Sequence, residues 1–267
     1  MDQQSKVAVI GAGVMGEALI AALIASGVEP HHITISEKRE DRAQELISKY
    51  SIKAALLNAN VSDADALLLV VKPQDMATVL EEIKGSINPK AVVITFAAGK
   101  TISFISNRLG TSNPVIRVMP NTPTLVGKGM AAASMGEGVT DAQRDFVLGF
   151  LAATGTVIEV SEDLQDAVTA TSGSGPAYFF AFVEAMVTGA KELGLSEKDA
   201  TTLTVQTIVG AAKLLEESGK SATTLRENVT SPNGTTAAAL ASFGDANLNS
   251  IVAKAMKAAR DRSQELA

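Results

Sequence analysis

The sequence predicts an α/β domain built on a parallel sheet, followed by an all-helical domain. Three observations support this fold class. Short β-branched runs alternate with helical patterns up to about residue 160, and each run is apolar nearly throughout, as in strands buried on both faces. After Glu162 only helical patterns follow. We therefore expect two domains, 1–160 and 161–267.

The individual elements follow from the same patterns. Strands are predicted at 7–10, 33–36, 66–71, 91–95, 115–119 and 156–160, and helices between them include 16–25, 39–50 and 75–87. Because strand, helix and strand alternate, the crossovers should be right-handed and the strands parallel. The second domain should contain helices at 178–193, 197–217 and 248–266, with breaks at 227–236 and 243–247.

Composition and charge exclude several classes of protein. Of the 267 residues 46% are hydrophobic and 19% charged, which is typical of a globular chain. The net charge of −6 and the absence of Trp argue against a nucleic-acid partner. There are no cysteines, so disulfides and thiol nucleophiles are excluded. The sequence predicts no signal peptide and contains no apolar run of about 20 residues, so we expect a cytoplasmic protein without a membrane segment.

A glycine-rich loop is the clearest chemical signal. GAGVMG, which comprises Gly11, Ala12, Gly13, Val14, Met15 and Gly16, follows a strand and opens a helix. The first glycine permits a tight turn, the second lets the backbone approach a pyrophosphate, and the third lets the helix pack closely on the strand. The uncapped helix start supplies N–H groups to the phosphates. The loop predicts a Rossmann-type dinucleotide-binding domain.

The residues after the second predicted strand bear on the choice of dinucleotide. Glu37 lies about 20 residues after the loop, where an acidic side chain usually binds the ribose hydroxyls of NAD. Ser36, Lys38 and Arg39 surround it, and a hydroxyl with two cations suits the 2′-phosphate of NADP. The pattern favours NADPH and leaves NADH as the alternative. The same cations could also be ordinary solvated residues.

Three further strand ends should lie at the same edge of the sheet, where ligands of open parallel sheets bind. They carry Val71, Lys72 and Pro73, then 96–99 with Ala97 and Ala98, and then 119–123 with Asn121. Small and proline-stiffened residues suit a backbone wall against a nicotinamide ring. Each segment taken singly resembles an ordinary loop, and their shared position is the argument for a site.

Two loops of the helical half are candidate sites. In the segment 172–176, Ser174 is expected to cap a helix that has Pro176 in its first turn. In the segment 231–236, the N–H groups of Gly234, Thr235 and Thr236 should be free at a helix start. With the Ser231 hydroxyl they would form a site for a carboxylate. A plain capped helix start is the rival interpretation.

The helix at 178–193 is apolar around most of its circumference. Phe179, Phe180, Phe182 and Val183 cover several of its faces. Such a helix must be buried on all sides, and a subunit interface would achieve this more easily than a domain of about 105 residues. We expect an obligate oligomer.

The histidines limit the possible chemistry. His31 and His32 precede the second strand, so they should lie at the amino edge of the sheet, away from the dinucleotide. An alcohol dehydrogenase needs a base for the hydroxyl proton. A protonated imine is already electrophilic and needs mainly positioning, with one hydroxyl near its nitrogen. The missing histidine base favours an imine substrate.

Five motifs together resemble the pyrroline-5-carboxylate reductases. They are GAGVMG, VVKP (70–73), MPNTP (119–123), SGSGPAY (172–178) and VTSPNGTT (229–236), in the order found in that family. The resemblance implies reduction of L-1-pyrroline-5-carboxylate to L-proline with NADPH or NADH. It also implies a helical domain that interlocks a homodimer, and it allows a higher ring such as a decamer.

The same resemblance implies roles for particular residues. The N–H groups of Gly234, Thr235 and Thr236 would hold the substrate carboxylate, and the Thr236 hydroxyl would bond the ring nitrogen. The cofactor would be bordered by Val71, Lys72, Pro73, Ala97, Ala98 and Asn121, with Asn58 as a weaker match near the adenosine. Asn233 departs from the family, which usually has glycine there. If the position needs positive φ, Asn is the next most tolerant residue.

Two other classes of protein would share part of this pattern. A β-hydroxyacid dehydrogenase would carry a catalytic lysine four residues after Gly175, where this chain has Phe179. A dinucleotide-binding sensor without catalytic activity would have no need for the loop 231–236. Both alternatives predict a glycine-rich loop, so that loop cannot separate them from a reductase.

Overall fold

The structure is a computed structural model that describes residues 4–266. The chain divides into two compact units, one formed by 4–174 together with 259–266 and the other by 175–258. The domain boundary near residue 161 stays a prediction. Among the described residues, no helix is both long and apolar enough to cross a membrane.

The first unit is built on one eight-stranded sheet with the order β3-β2-β1-β4-β5-β6-β7-β8. The order reverses between β1 and β4, which is the switch point where parallel α/β sheets bind ligands. The strands are β1 (Val7–Ile10), β2 (Ile33–Ser36), β3 (Lys53–Ala54), β4 (Ala66–Leu69), β5 (Val92–Thr95), β6 (Val115–Met119), β7 (Gly129–Met135) and β8 (Gly155–Glu159).

Six strands match the predicted runs, and two were not predicted. β3 has two residues and forms only the edge of the sheet. β7 reads GMAAASM, and Ala and Gly are poor strand formers, so propensity gives no signal there. β7 pairs antiparallel with β6, and it is the only antiparallel pairing of the described sheet. β8 pairs parallel with β7, so these two strands run opposite to the other six, and the expectation that all predicted strands are parallel was wrong for β8.

The helices of the first unit cover both faces of the sheet. Three were predicted to within a few residues, whereas the short or weakly amphipathic ones were not. They are α1 (Val14–Ala25), α2 (Glu40–Tyr50), α3 (Leu57–Ser62), α4 (Met76–Ile83), α5 (Ile102–Leu109), α6 (Asp141–Ala152) and α7 (Gln165–Val168), and a π-helical turn at Thr169–Gly173 follows α7.

Alternate residues of the central strands enter two separate cores. Val7 and Val9 of β1 pack on one face of the sheet, in a core shared with α1 and α6. Ala8 and Ile10 pack on the other face, in a core shared with α4 and α5. A strand buried on both faces has no polar side, which explains the continuous apolar runs.

The second unit contains α8 (Gly175–Glu192), α9 (Glu197–Glu217), α10 (Ala222–Asn228), α11 (Thr235–Asp245) and the larger part of α12 (Leu248–Glu265). Within 175–258 only Gly175, Ala200 and Thr204 are buried. Phe179 is 65% exposed and Phe180 62% exposed, so α8 is not buried on all sides within one chain. The unit has no core of its own comparable with those of the first.

A partly buried ionic cluster joins α2 to α1. Glu17 of α1 accepts hydrogen bonds from Lys49 Nζ (2.8 Å), Tyr50 Oη (3.1 Å) and Arg42. Its side chain is only 16% exposed. The hydrogen bond from Lys49, followed by that from Arg42, lowers the pKa of Glu17 to about 2. The charged form is therefore strongly favoured in the folded chain.

We expect Glu17→Gln to lower the free energy of unfolding at pH 7 by about 3 kcal/mol, because the folded chain lowers the pKa of Glu17 from 4.5 to about 2. Because the folded-state pKa is depressed, this contribution is present above pH 4.5 and is lost as the pH falls towards 2. Urea unfolding of both proteins across that pH range measures it.

The matched control is Glu45→Gln, which removes a carboxylate that also contacts Arg42 but is 57% exposed. A pair so exposed should contribute less than about 1 kcal/mol. Equal losses for the two variants, or a Glu17 effect that does not shrink in acid, would contradict the assignment.

Candidate functional site

The glycine loop sits at the switch point of the sheet, directly after β1. Gly11 has φ +88° and donates its N–H to Ser36 O at 3.0 Å. A Cβ at this position would lie 2.9 Å from Val70 O, the carbonyl that follows β4. Both the backbone angle and the close approach require glycine.

The other two glycines have the local geometry that the motif predicts. Gly13 is the N-cap of α1 without any side-chain cap, and a Cβ there would meet nothing within 4 Å. The first intrahelical bond runs from Glu17 N to Gly13 O (2.9 Å), so the N–H groups of 14–16 precede the helical ladder. A Cβ on Gly16 would collide with Gly11 O. The loop thus presents an open helix start, a geometry that suits an anion.

Two side chains from the neighbouring strand and helix hold the loop in shape. Glu37 Oε2 accepts the Ala12 N–H at 2.9 Å, and Arg42 Nε donates to Ala12 O at 3.1 Å. Both polar groups of Ala12 are thereby used by the protein. Arg42 also belongs to the ionic cluster around Glu17, so that cluster supports the loop directly.

A cavity of about 590 Å³ opens beside the loop, within the first unit. Its floor includes the strand ends of β1, β2 and β4, and its wall includes the segment 55–57 after β3. A groove with an apolar wall and a phosphate-binding loop fits a dinucleotide. The predicted site residues that line it are Gly11, Gly13, Ser36, Lys38, Val71 and Lys72.

Other predicted cofactor residues do not line this cavity. Ala12, Val14, Met15 and Gly16 belong to the loop and helix start beside it. Arg39 and Asn58 are exposed next to it in sequence, and Pro73 follows its lining residue Lys72. Ala97, Ala98 and Asn121 follow β5 and β6 and lie outside the lining. The assignment of these residues to a cofactor stays a prediction.

The structure adds residues that the sequence signals missed. Leu56, 86% exposed, and Leu57 line the cavity as an apolar surface. They follow β3, and without that strand nothing in the sequence placed them at this edge. Asn60 donates to Thr34 O (3.1 Å) and Ser36 Oγ (3.0 Å), and Ser36 Oγ donates to Ala55 O at 3.0 Å. The Ser36 hydroxyl is thus already engaged in joining β2 to this wall.

The loop after β5 is supported by the end of the chain. Gly99 has φ +73°, and a Cβ there would lie 2.7 Å from Ser263 O. Lys100 Nζ donates to Leu266 O at 2.5 Å. The segment 97–100 is therefore fixed by residues that return from the far end of the sequence.

Asn121 has a structural role that the sequence did not reveal. Its Oδ1 accepts the Met130 N–H at 2.8 Å, and its Nδ2 donates to Ser172 O at 3.1 Å. Pro176 has no N–H with which to reach the Ser172 carbonyl, so that carbonyl needs another donor. Asn121 supplies it and is buried as a result.

The prediction that Ser174 caps a helix was wrong. Ser174 has helical angles (φ −86°, ψ −18°) and donates its N–H to Thr169 O at 2.8 Å, inside the π-type turn Thr169–Gly173. Helical structure already begins at Gln165. The wider turn accommodates the proline that follows, and π-type turns are frequent at functional sites.

The loop 231–236 in the second unit forms a tight turn before α11. Asn233 has φ +61°, so the position does need the left-handed region that asparagine tolerates. Gly234 donates its N–H to Ser231 O at 3.0 Å, and the expectation that this N–H is free was wrong because the turn uses it.

The remaining donors of this loop match the expectation. Gly234 is the N-cap of α11 without a side-chain cap, and the N–H groups of Thr235 and Thr236 have no partner among residues 4–266. A Cβ on Gly234 would collide with Ser231 Oγ, so the Ser231 hydroxyl lies close against the turn. Two adjacent free N–H groups with hydroxyls beside them suit a small anion.

The histidines lie where the sequence placed them. His31 and His32 occupy the turn Pro30–His32 before β2, at the amino edge of the sheet, and neither lines the 590 Å³ cavity. His31 is exposed and lies 3.2 Å from Glu29. No histidine is therefore placed to act as a base at the glycine loop.

The sheet order, the glycine loop at its switch point and the open helix start define a Rossmann-type dinucleotide-binding protein. Residues 162–266 match the family model described as pyrroline-5-carboxylate reductase dimerisation. Residues 6–99 match the model described as NADP oxidoreductase, coenzyme F420-dependent.

Comparison with known proteins extends the match to the whole chain. The pyrroline-5-carboxylate reductase of Corynebacterium melassecola is 41% identical over 97% of this chain and 98% of its own length. That of Pseudomonas aeruginosa is 39% identical over 98% of this chain and 97% of its own length.

The structure of the enzyme from Coxiella burnetii superposes with a TM-score of 0.90 at 35% identity, covering 99% of both chains. The Plasmodium falciparum enzyme, solved with NADP bound, gives 0.90 at 26% identity, covering 100% of this chain and 99% of its own. The chain belongs to the pyrroline-5-carboxylate reductase family.

The glycine loop provides a test with a built-in comparison. Gly16→Ala should lower both the melting temperature and dinucleotide affinity, because its methyl group collides with Gly11 O. Gly13→Ala should keep the melting temperature, since its methyl group meets nothing within 4 Å, but should weaken dinucleotide binding by about tenfold or more. Thermal unfolding and fluorescence titration with NADPH measure the two effects. Similar stability losses in both variants would contradict the different roles assigned to Gly13 and Gly16.

Proposed function

We propose that this chain reduces the C=N bond of L-1-pyrroline-5-carboxylate to give L-proline, with NADPH as the cofactor and NADH as the alternative. This is the last step of proline biosynthesis. The observation that carries the proposal is the open helix start of α11, where Thr235 and Thr236 offer two free N–H groups. Membership of the pyrroline-5-carboxylate reductase family indicates a substrate whose carboxylate fits such a site.

The first unit supplies the proposed cofactor site. The N–H groups at the start of α1 and the open space above Gly13 fit a pyrophosphate. Lys38 and Arg39 would pair with a 2′-phosphate, and the apolar surface of Leu56 and Leu57 suits an adenine. When bound, the reduced cofactor supplies the hydride.

Residues around the proposed nicotinamide position act through the backbone. Val71, Lys72 and Pro73 follow the switch point, and Ala97 and Ala98 are held by the contacts of Gly99 and Lys100 with the end of the chain. Asn121 would contribute mainly by fixing the strand end after β6, because both ends of its amide are already bonded. A rigid wall restricts the orientation of a flat ring.

The second unit supplies the proposed substrate loop. The N–H groups of Thr235 and Thr236 would bind the substrate carboxylate, with the Ser231 hydroxyl beside them. Gly234 would contribute through its conformation, since its own N–H closes the turn. The Thr236 hydroxyl would hydrogen-bond the ring nitrogen and orient the imine. No further base is required, because a protonated imine accepts hydride directly.

The proposed reaction is tested by mixing purified protein with pyrroline-5-carboxylate and NADPH or NADH and following the loss of reduced-nicotinamide absorbance. We expect turnover with at least one cofactor and proline as the product. If neither cofactor is consumed, the proposed reaction is wrong.

Thr236→Ala should lower kcat by about 10²-fold while the dissociation constant for NADPH stays within about twofold, because the hydroxyl is assigned to the substrate and not to the cofactor. Thr202→Ala on α9 is the matched control, since its hydroxyl donates only to Lys198 O within the same helix. Parallel losses of turnover and cofactor affinity would remove Thr236 from the reaction.

We also propose a cytoplasmic homodimer joined through the helical unit. The support is the exposed apolar surface of α8 and α9, which includes Phe179, Phe180, Leu203 and Val209. Patches of this kind mark protein interfaces. The lack of cysteine fits a reducing compartment. Assembly of dimers into a ring such as a decamer belongs to the same proposal.

Phe180→Asp should shift the protein to monomers, because it places a charge in the proposed interface. Val126→Asp introduces the same charge at a residue of the first unit that is 76% exposed, and it should leave the assembly unchanged. Sedimentation velocity distinguishes the two outcomes. A wild-type protein that sediments as a monomer at micromolar concentration would exclude the dimer.

A further inference from the structure

The turn that precedes β2 brings one glutamate and both histidines of the chain together. Glu29, His31 and His32 each offer one ligand atom, and these atoms all lie within 4.8 Å of one another. Glu29 Oε2 and His31 Nδ1 are 3.2 Å apart. Two ligands of a tetrahedral zinc ion, each about 2.1 Å from the metal, lie about 3.4 Å from one another. This pair therefore already has the spacing of two zinc ligands.

The backbone holds this turn in one conformation. Glu29 is the N-cap of the 3₁₀ turn Pro30–His32, and the ring of Pro30 restricts its own φ angle. His32 donates its N–H to Glu29 O at 2.9 Å, and the next residue, Ile33, is fully buried in β2. Since no two of the ligand atoms are more than 4.8 Å apart, side-chain rotations that move them by at most about 1.4 Å complete the zinc spacing. The backbone need not change for an ion to bind.

The donor set of this turn matches a transition-metal ion. Two imidazoles and one carboxylate are a common set of three protein ligands for Zn²⁺, and such sites keep a fourth position for water. The side chains of His31 and Glu29 are 57% and 60% exposed, so an ion in solution can reach them. Both histidines also line a cavity of about 270 Å³, which has room for a water ligand.

The charges around the turn permit a cation to approach. Of the two lysines that line the same cavity, Lys6 is paired with Asp63 at 2.8 Å. The chain as a whole has a net charge of −6, which favours the approach of a cation. Within residues 4–266, no other group of three His, Cys, Asp or Glu side chains brings its ligand atoms so close together. The described part of the chain therefore fits a metal ion best at this turn.

We propose that Glu29, His31 and His32 bind one Zn²⁺ ion. The turn lies at the amino edge of the sheet, and neither histidine lines the 590 Å³ cavity at the glycine loop. The ion therefore takes no part in the proposed reduction, and the inference does not depend on that reaction. Its effect is structural, because it ties together the segment that connects α1 to β2. A ligand that binds the folded chain stabilises it by mass action.

Isothermal titration calorimetry of the untagged full chain with ZnCl₂, at about pH 7.5, tests the site. We expect the wild type to bind one equivalent of Zn²⁺. His31→Asn and His32→Asn should each weaken binding at least about tenfold, and Glu29→Gln about threefold or more. Because the chain has no cysteine and no other histidine, no second imidazole or thiolate site can supply the same signal. MgCl₂ should give no comparable binding, since Mg²⁺ prefers oxygen ligands.

Glu45→Gln is the matched control, because its carboxylate is 57% exposed, close to the 60% of Glu29, and does not belong to the cluster of ligand atoms. This variant should bind Zn²⁺ as the wild type does. Saturating Zn²⁺ should also raise the melting temperature of the wild type and leave that of the double variant, His31→Asn with His32→Asn, unchanged. The melting temperatures without zinc show whether each variant is folded.

Three results would overturn the zinc site. The first is a wild type that binds no stoichiometric Zn²⁺, and the second is a folded double variant with the affinity of the wild type. The third is an equal loss of affinity in Glu45→Gln and Glu29→Gln, which would mean that net charge, and not coordination, attracts the ion.

Discussion

The close approach of backbone to backbone at the glycine loop is the constraint on which the dinucleotide site depends. Gly11 lies against the carbonyl of Val70 between β1 and β4, and Gly16 lies against the carbonyl of Gly11. No side chain fits at either contact, so α1 begins directly at the switch point of the sheet. The free N–H groups of its first turn consequently lie beside the cavity, whose lining includes Gly11 and Gly13.

The charged side chains around this loop have a structural role, apart from any role in binding a ligand. Arg42 joins the Ala12 carbonyl to Glu17, and Glu37 joins the Ala12 N–H to the backbone of Arg39. The loop is therefore preorganised by the same ionic cluster that fastens α2 to α1. A preorganised site loses less conformational entropy when a ligand binds.

The two units differ in how their apolar surface is covered. The first unit buries both faces of its sheet beneath helices, whereas the second leaves phenylalanines of α8 largely exposed. Helices that leave so much apolar surface in water gain little hydrophobic stabilisation by themselves. A second copy of the chain would supply the missing contacts, which agrees with the match of residues 162–266 to a dimerisation model.

The sequence by itself determined the strands and helices whose residue pattern lies within a short stretch of the chain. Burial on both faces explains the apolar runs of β1, β2, β4, β5 and β6, and steric limits explain the glycine spacing of 11–16. The sequence also predicts α9 with its observed ends.

Tertiary structure decided the rest. β7 is a strand because β6 and β8 pair with it on its two sides. Asn121 is buried because Pro176 leaves the Ser172 carbonyl without a helical donor. The Gly234 N–H is engaged because the Asn233 turn brings it to Ser231 O. Such outcomes depend on which polar groups the fold brings together and which of them need a hydrogen-bond partner. A short stretch of sequence does not contain that information.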